Sequence, residues 1–372
     1  MNKTELLKAR KERILKAIAL ERPDRTPVIL EYDAFAAKMT KMRLSEFVND
    51  ANRSISAMIQ TFHMVGGADA INYGDGSSAL GLSFLSMSKV KIPGVDLPED
   101  ELWQVDETEL MKPEDYDRIL VEGWPAFFQS YIQKRIGGGI WEEVNASMQG
   151  IPRMLEAWAA EGIPVITGGG VTTPFELYCG GRSLVEFISD LYQIPDKVQA
   201  AMDVTIPYFT GPVCEMAKMF NVPCIWVVGG RSASSMLSPG LWDRFVFPYF
   251  ERLVHEIVDA GLIALLHLDS DWTRDLARFR LLPKGKCILA LDGSTNIFKA
   301  KEILGDHMCI MGDVPPAMFA LSTPDEVYNY SIKLVKEIGP EGFILHSGCD
   351  IPMNAKLENV QAMVAAATGQ LF

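Results

Sequence analysis

Apolar residues gather in eight short runs, most of them closed by Gly, Asp, Ser or Cys and followed by a stretch with helical spacing. In order they are 26–32 (TPVILEY), 68–74 (ADAINYG), 164–170 (PVITGGG), 222–230 (VPCIWVVGG), 262–269 (LIALLHLD), 286–293 (KCILALDG), 307–314 (HMCIMGDV) and 342–349 (GFILHSGC). Runs so uniformly apolar suit strands covered on both faces, and strands alternating with helices build a parallel sheet. Eight such units predict an α/β fold of the (β/α)8 TIM-barrel type.

The intervening segments fit that pattern. Residues 238–260 open with Ser238 and Pro239, an N-cap and first-turn pair, and 323–338 open with Thr323 and Glu326, a capping box. A last helix is expected over 355–368, and an amphipathic N-terminal helix over 4–20. The gap from about 75 to 163 is far longer than one helix needs, so it holds an insertion after the second strand. Within it 83–105 reads as extended or loop structure, and 113–136 and 150–161 read as helices. No linker composition brackets the insertion, so 1–372 reads as one barrel domain with the insertion at its C-terminal mouth.

Composition narrows the function classes. With 48% hydrophobic and 22% charged residues among 372, the chain suits a large compact core. Its 35 basic against 48 acidic residues give a net charge of −13, which disfavours a nucleic-acid partner. Charged residues interrupt every apolar stretch near the N-terminus, so neither a signal peptide nor a membrane span is read there and a cytoplasmic protein is expected. Six cysteines without a C-x-x-C pair are expected as reduced, mostly buried thiols.

In a barrel the chemistry sits where the strands end. The polar residues there are Glu31 and Asp33; Tyr73 and Asp75; Gly168 to Gly170; Arg231 and Ser232; His267 and Asp269; Asp292; Asp313; His346 and Cys349. Positions i and i+2 of a strand share a face, so His267 and Asp269 are expected to enter the mouth together, with Cys349 reaching it from the eighth strand. One imidazole, one carboxylate and one thiolate make a three-ligand zinc site with an open position, although iron or cobalt satisfies the same donors. On the residues alone, a hydrogen-bonded His-x-Asp pair beside a small buried Cys stays open as the plainer reading. Arg231 is a candidate to hold a substrate carboxylate, or else to pair with an acid at the mouth. Gly169 and Gly170 allow a substrate close to the backbone, in a run too unlike G-x-G-x-x-G to suggest a nucleotide.

Five stretches carry a resemblance: GGGVTTPFELYCGGRSLVEFISDLYQIPDKV (168–198), LSPGLWDRFVFPYFERLVHEIVDAG (237–261), LLHLDSD (265–271), MGDVPPAMFALSTPDEV (311–327) and ILHSGCDIPMNAKLENVQAMV (344–364). They resemble the uroporphyrinogen decarboxylase superfamily, which includes corrinoid-dependent methyltransferases and implies the same barrel. The decarboxylases carry an arginine-rich stretch after the first strand that grips carboxylates, whereas LEYDAFAAKM (30–39) has acids and no Arg. The methyltransferase branch is similar in binding zinc through a His-x-Cys of the fifth strand and a Cys in a Ser-Gly-Cys-type turn of the eighth. His267 and Cys349 match that pattern, while Asp269 stands where the second thiolate would be.

A carboxylate in place of a thiolate leaves zinc more electrophilic, which suits activation of an ether oxygen. The resemblance therefore implies a zinc-dependent methyltransferase that moves methyl from a methoxylated aromatic compound to the Co(I) corrinoid (cobalamin) of a partner protein, because the chain has no D-x-H-x-x-G motif of its own. Glu31, Tyr73, Asp75 and His346 are the candidates to orient the substrate or protonate the leaving oxygen, with Glu31 also a candidate fourth ligand. Alternatives are a methylcobalamin:thiol methyltransferase, a decarboxylase of the uroporphyrinogen type, and a non-catalytic barrel that binds a ligand or a corrinoid protein. The apolar content also leaves surface for a homodimer.

Overall fold

The computed structural model describes residues 2–76, 78–137 and 139–370. Eight parallel strands form a ring: β1 (Ile29–Leu30), β2 (Ala70–Ile71), β3 (Thr167–Thr172), β4 (Cys224–Gly229), β5 (Ile263–Leu268), β6 (Cys287–Leu291), β7 (Cys309–Val314) and β8 (Phe343–Ser347). From β3 to β8 each strand pairs with the next in one continuous sheet, and β1 pairs with β2. Two bridges close the circle, Val28 with Leu345 and Ile71 with Val165. The barrel expected from the eight runs is therefore the fold, with β1 and β2 much shorter than their runs because regular pairing covers two residues of each.

Helices cover the ring. The N-terminal helix (Lys3–Ile18) is held by Asn2 and Glu5 in a capping box, and Thr323 with Glu326 caps the helix Pro324–Glu337 in the same way. The segment expected as one helix over 238–260 is two, Pro239–Phe245 and Phe247–Asp259, because Pro248 carries no N–H and starts a new first turn. Among the described residues no helix is long and apolar enough to cross a membrane.

The insertion differs in part from its expected form. Residues 83–86, expected as extended, belong to the helix Ser78–Ser86, where Phe84 packs edge-on against Phe128 and Trp141 at 5.9 and 5.2 Å. The antiparallel pair Lys89–Lys91 and Gln104–Asp106 follows, and the last helix of the insertion runs from Ile140 to Ala160, ten residues earlier than its expected start. Arg182, buried near the end of the helix Pro174–Arg182, ties the insertion to the barrel through Glu109 and the Met111 carbonyl.

Inside the ring, Ile29, Ala70, Cys224, Leu265, Met311 and Ile344 share one apolar cluster. Side chains two residues apart on a strand share a face, so the next layer toward the C-terminal mouth is Glu31, Asn72, Trp226, His267 and His346. This layer is polar, directly above an apolar floor.

Candidate metal centre

Glu31 follows β1, His267 is the penultimate residue of β5, and Cys349 lies two residues past β8. One donor atom from each, a carboxylate oxygen, an imidazole nitrogen and a thiol sulfur, lies within 4.8 Å of the other two. Cys349 Sγ is 3.6 Å from His267 Nε2. Two zinc ligands at ordinary N and S bond lengths and a tetrahedral angle stand about 3.6 Å apart, so the pair already has the spacing of two corners of such a site. Glu31 is 1% exposed and His267 3%, while Cys349, the one cysteine of six that is not fully buried, faces the mouth.

The electrostatics of this layer favour positive charge. Burial opposes ionisation of Glu31, but the neighbouring His267 and His346 rings and the Asn72 amide outweigh it and hold its carboxyl down at about 2. Burial likewise opposes charge on His267, yet the Glu31 carboxylate, with Asp269 and Cys349, keeps its imidazole well above the usual range. Burial pushes the Cys349 thiol up to about 11 against the pull of His267, with Asp350 and Asp269 adding to the rise. A cation among these three donors would replace the imidazole proton and stabilise the thiolate, as divalent ions do. The donor chemistry and spacing fit zinc.

The remaining mouth residues fall into distinct places. Asp269 stands one residue beyond the end of β5 with its side chain 43% exposed, and its Oδ1 approaches His267 Nε2 at 3.5 Å without joining the three-donor group. His346 is fully buried, with Nε2 3.4 Å from Glu31 Oε2 and Nδ1 without a partner. The Tyr73 hydroxyl donates to Asp350 Oδ1, and its ring tilts against Trp226 with centroids 6.3 Å apart. Asp75 is half-buried before the insertion helix and outside the donor group.

Arg231 points elsewhere: its Nε is 3.8 Å from Glu107 of the insertion, and its backbone N–H donates to Glu176. The space beside Gly169 and Gly170 is occupied by the chain itself. A Cβ on Gly169, whose φ is 149°, would come within 2.5 Å of Val213, and one on Gly170 would meet Trp226 at 3.5 Å.

Asn72, Trp226 and Asp350 belong to the mouth, Thr167 at the start of β3 bonds Asn72 from below, and none of the four follows from the last polar residue of each run. Trp226 packs on the His267 imidazole, with ring centroids 5.0 Å apart, and its indole Nε1 is buried without a partner. Alternation supplies the missing signal: Asn72 and Trp226 each lie two residues after an inward apolar residue, Ala70 and Cys224.

Comparison with known proteins agrees with this architecture. The sequence model of the uroporphyrinogen decarboxylase (URO-D) family matches residues 150–370. The uroporphyrinogen decarboxylase of Coxiella burnetii is 26% identical over 221 residues, 55% of this chain and 57% of that protein. That of Syntrophotalea carbinolica is 28% identical over 213 residues, 54% of this chain and 58% of its own length. The match thus spans less than two thirds of these curated relatives. Among solved structures, a methyltransferase from Methanosarcina mazei is similar with a TM-score of 0.72 at 15% identity, covering 96% of this chain and 97% of that one, a likeness of fold.

Proposed function

The chain belongs to the uroporphyrinogen decarboxylase family, and from that premise we propose that it is a zinc-dependent methyltransferase, taking methyl from a methoxylated aromatic compound to the Co(I) corrinoid of a separate protein. The observation that carries this reading is the convergence of Glu31, His267 and Cys349 at the barrel mouth. Zinc bound there would act as a Lewis acid on the ether oxygen, easing departure of the methyl group. A donor set with a single thiolate suits that role better than one with two, because the ion stays more electrophilic.

The chain's own residues supply the rest of the site. Trp226 and Tyr73, both partly exposed and tilted toward each other, offer an aromatic wall for the substrate ring. Tyr73 is held in place by Asp350, and His346 turns Nε2 to Glu31 and keeps Nδ1 for a polar atom of the substrate. Decarboxylation of a polycarboxylate fits less well. The carboxylates of Glu31 and Asp33 stand at the mouth, and Arg231 is turned to Glu107.

The test has two stages. Purified protein should hold about one zinc per chain. The loaded protein, mixed with a Co(I) corrinoid protein and methoxylated aromatics, should then convert Co(I) to methylated corrinoid, followed by absorbance. A metal-free protein under conditions that spare weakly bound zinc, or a loaded protein that methylates no corrinoid, overturns the proposal.

A further inference from the structure

We infer that Thr167 and Asn72 form a relay whose task is to aim the Glu31 carboxylate at the cation, making them positioning residues for the metal. The inference rests on the metal reading given above and concerns side chains to which that reading assigns no part.

The relay runs across three adjacent strands. Thr167 Oγ1 donates to Asn72 Oδ1, and Asn72 Nδ2 donates to Glu31 Oε2. The backbone ladder beneath follows the same line, with Asn72 N–H on Leu30 O at 2.8 Å and Thr167 N–H on Asn72 O at 3.0 Å. Main chain and side chains therefore fix Asn72 together, and an amide held at both ends has one orientation: reversing it would face its oxygen toward the carboxylate. The hydrogen bonds then point one way, from hydroxyl to amide to carboxylate, ending on an acceptor.

The relay also selects an oxygen. Asn72 donates to Oε2, and the His346 ring faces that same Oε2 at 3.4 Å. Oε1 is the oxygen left to face a cation, so Glu31 is presented through one oxygen rather than two. Burial makes this costly unless it serves a purpose, since Glu31 and Asn72 are 1% and 0% exposed above an apolar floor where aliphatic side chains would pack without desolvating a charge. Partners that orient a ligand in this way commonly account for roughly 10–100-fold in metal affinity.

The experiment compares full-length parent, Asn72→Ala, Thr167→Val and Thr167→Ser. Zinc affinity is measured by chelator competition, the visible spectrum of the Co(II)-substituted form reports coordination, and thermal melting of each metal-free form checks folding. Expected are a roughly 10–100-fold loss of affinity with an altered Co(II) spectrum in Asn72→Ala, a smaller loss of the same kind in Thr167→Val, and parental values in Thr167→Ser, which keeps the hydroxyl. A parent that binds metal while Asn72→Ala and Thr167→Val match it in affinity and spectrum overturns the relay alone. A folded parent that binds no metal overturns the metal reading and the relay with it. Should Asn72→Ala fail to fold, the Val and Ser pair at Thr167 decides, since the two differ mainly in whether a hydroxyl is present.

Discussion

Cys349 Sγ lies 3.6 Å from His267 Nε2 across 82 positions of sequence, joining the end of β8 to the end of β5. Neither side chain has the surroundings of an inert core residue. The imidazole has an unpartnered Nδ1 and a buried carboxylate beside it, and the thiol is the least enclosed of the six.

Metal analysis of single variants separates the two carboxylates near that pair. His267→Ala, Cys349→Ser and Glu31→Gln should each fall from about one zinc per chain to a small fraction of it. Asp269→Asn should keep most of the metal, because Asp269 approaches His267 from outside the three-donor group. The reverse order, with Asp269→Asn empty and Glu31→Gln loaded, would make Asp269 the carboxylate ligand beside His267 and Cys349.

Arg182 gives a second prediction, on stability. Its guanidinium is 1% exposed, with Nε 2.6 Å from Asp190 and Nη1 3.0 Å from the Met111 carbonyl, and Tyr116 donates to the same Asp190 at 2.9 Å. Arg182→Ala leaves a buried carboxylate without its countercharge, a loss of about 3–5 kcal/mol. Urea unfolding should register that loss, and limited proteolysis should cut the insertion near residues 104–112 sooner than in the parent. A change under about 1 kcal/mol would mean that the knot is relaxed or hydrated in solution.

Gly180 tests the seat of the insertion by packing alone. A Cβ there would lie 1.8 Å from the Ser86 carbonyl oxygen, a backbone atom that cannot swing away. Gly180→Ala should therefore destabilise by about 1–3 kcal/mol, by forcing the end of the helix Ser78–Ser86 off the barrel. Gly150→Ala, with open space around its site inside the helix Ile140–Ala160, serves as the control and should leave the melting temperature unchanged or slightly raised.

A fourth prediction concerns pH. Burial raises the Asp313 carboxyl to about 7, with Asp292 adding to the rise and the Tyr330 hydroxyl, 2.8 Å away, opposing it. A carboxyl with a higher pKa folded than unfolded binds more protons in the native state, so stability falls as pH rises from about 4 to about 7 and stays lowered above. Asp313→Asn removes that dependence. Its unfolding free energy should exceed the parent's at pH 8 by up to about 4 kcal/mol, and the difference should shrink toward pH 4. Equal pH profiles for the two proteins would show that Asp313 is hydrated and titrates normally.

The barrel was legible because each strand core is a compact apolar run, and because Thr323, Glu326, Ser238 and Pro239 announce where helices begin. His267 and Cys349 stood out as ligand types at strand ends. Asn72 did not, since an amide is neither acid nor ligand and its role depends on Glu31 and Thr167 from neighbouring strands. Strand alternation carried one step past Leu268 pairs His267 with Asp269, and the two side chains do meet, at 3.5 Å. Regular pairing ends at Leu268, and the chain turns through Ser270 at a φ of 71°. Helix Ser78–Ser86 escaped because its serines and glycine are weak helix formers, and aromatic packing from Phe128 and Trp141 decides its form.

Closing the circle between the first and last strands has a consequence for biosynthesis. Glu31 and Cys349 are 318 positions apart, and the Val28–Leu345 bridge that brings their strands together joins segments that leave the ribosome far apart in time. A nascent chain lacking β8 has the imidazole and the carboxylate but not the sulfur, so the three-donor cluster is complete only once β8 has been made. Occupancy of all three donors by an ion would then mark a closed ring.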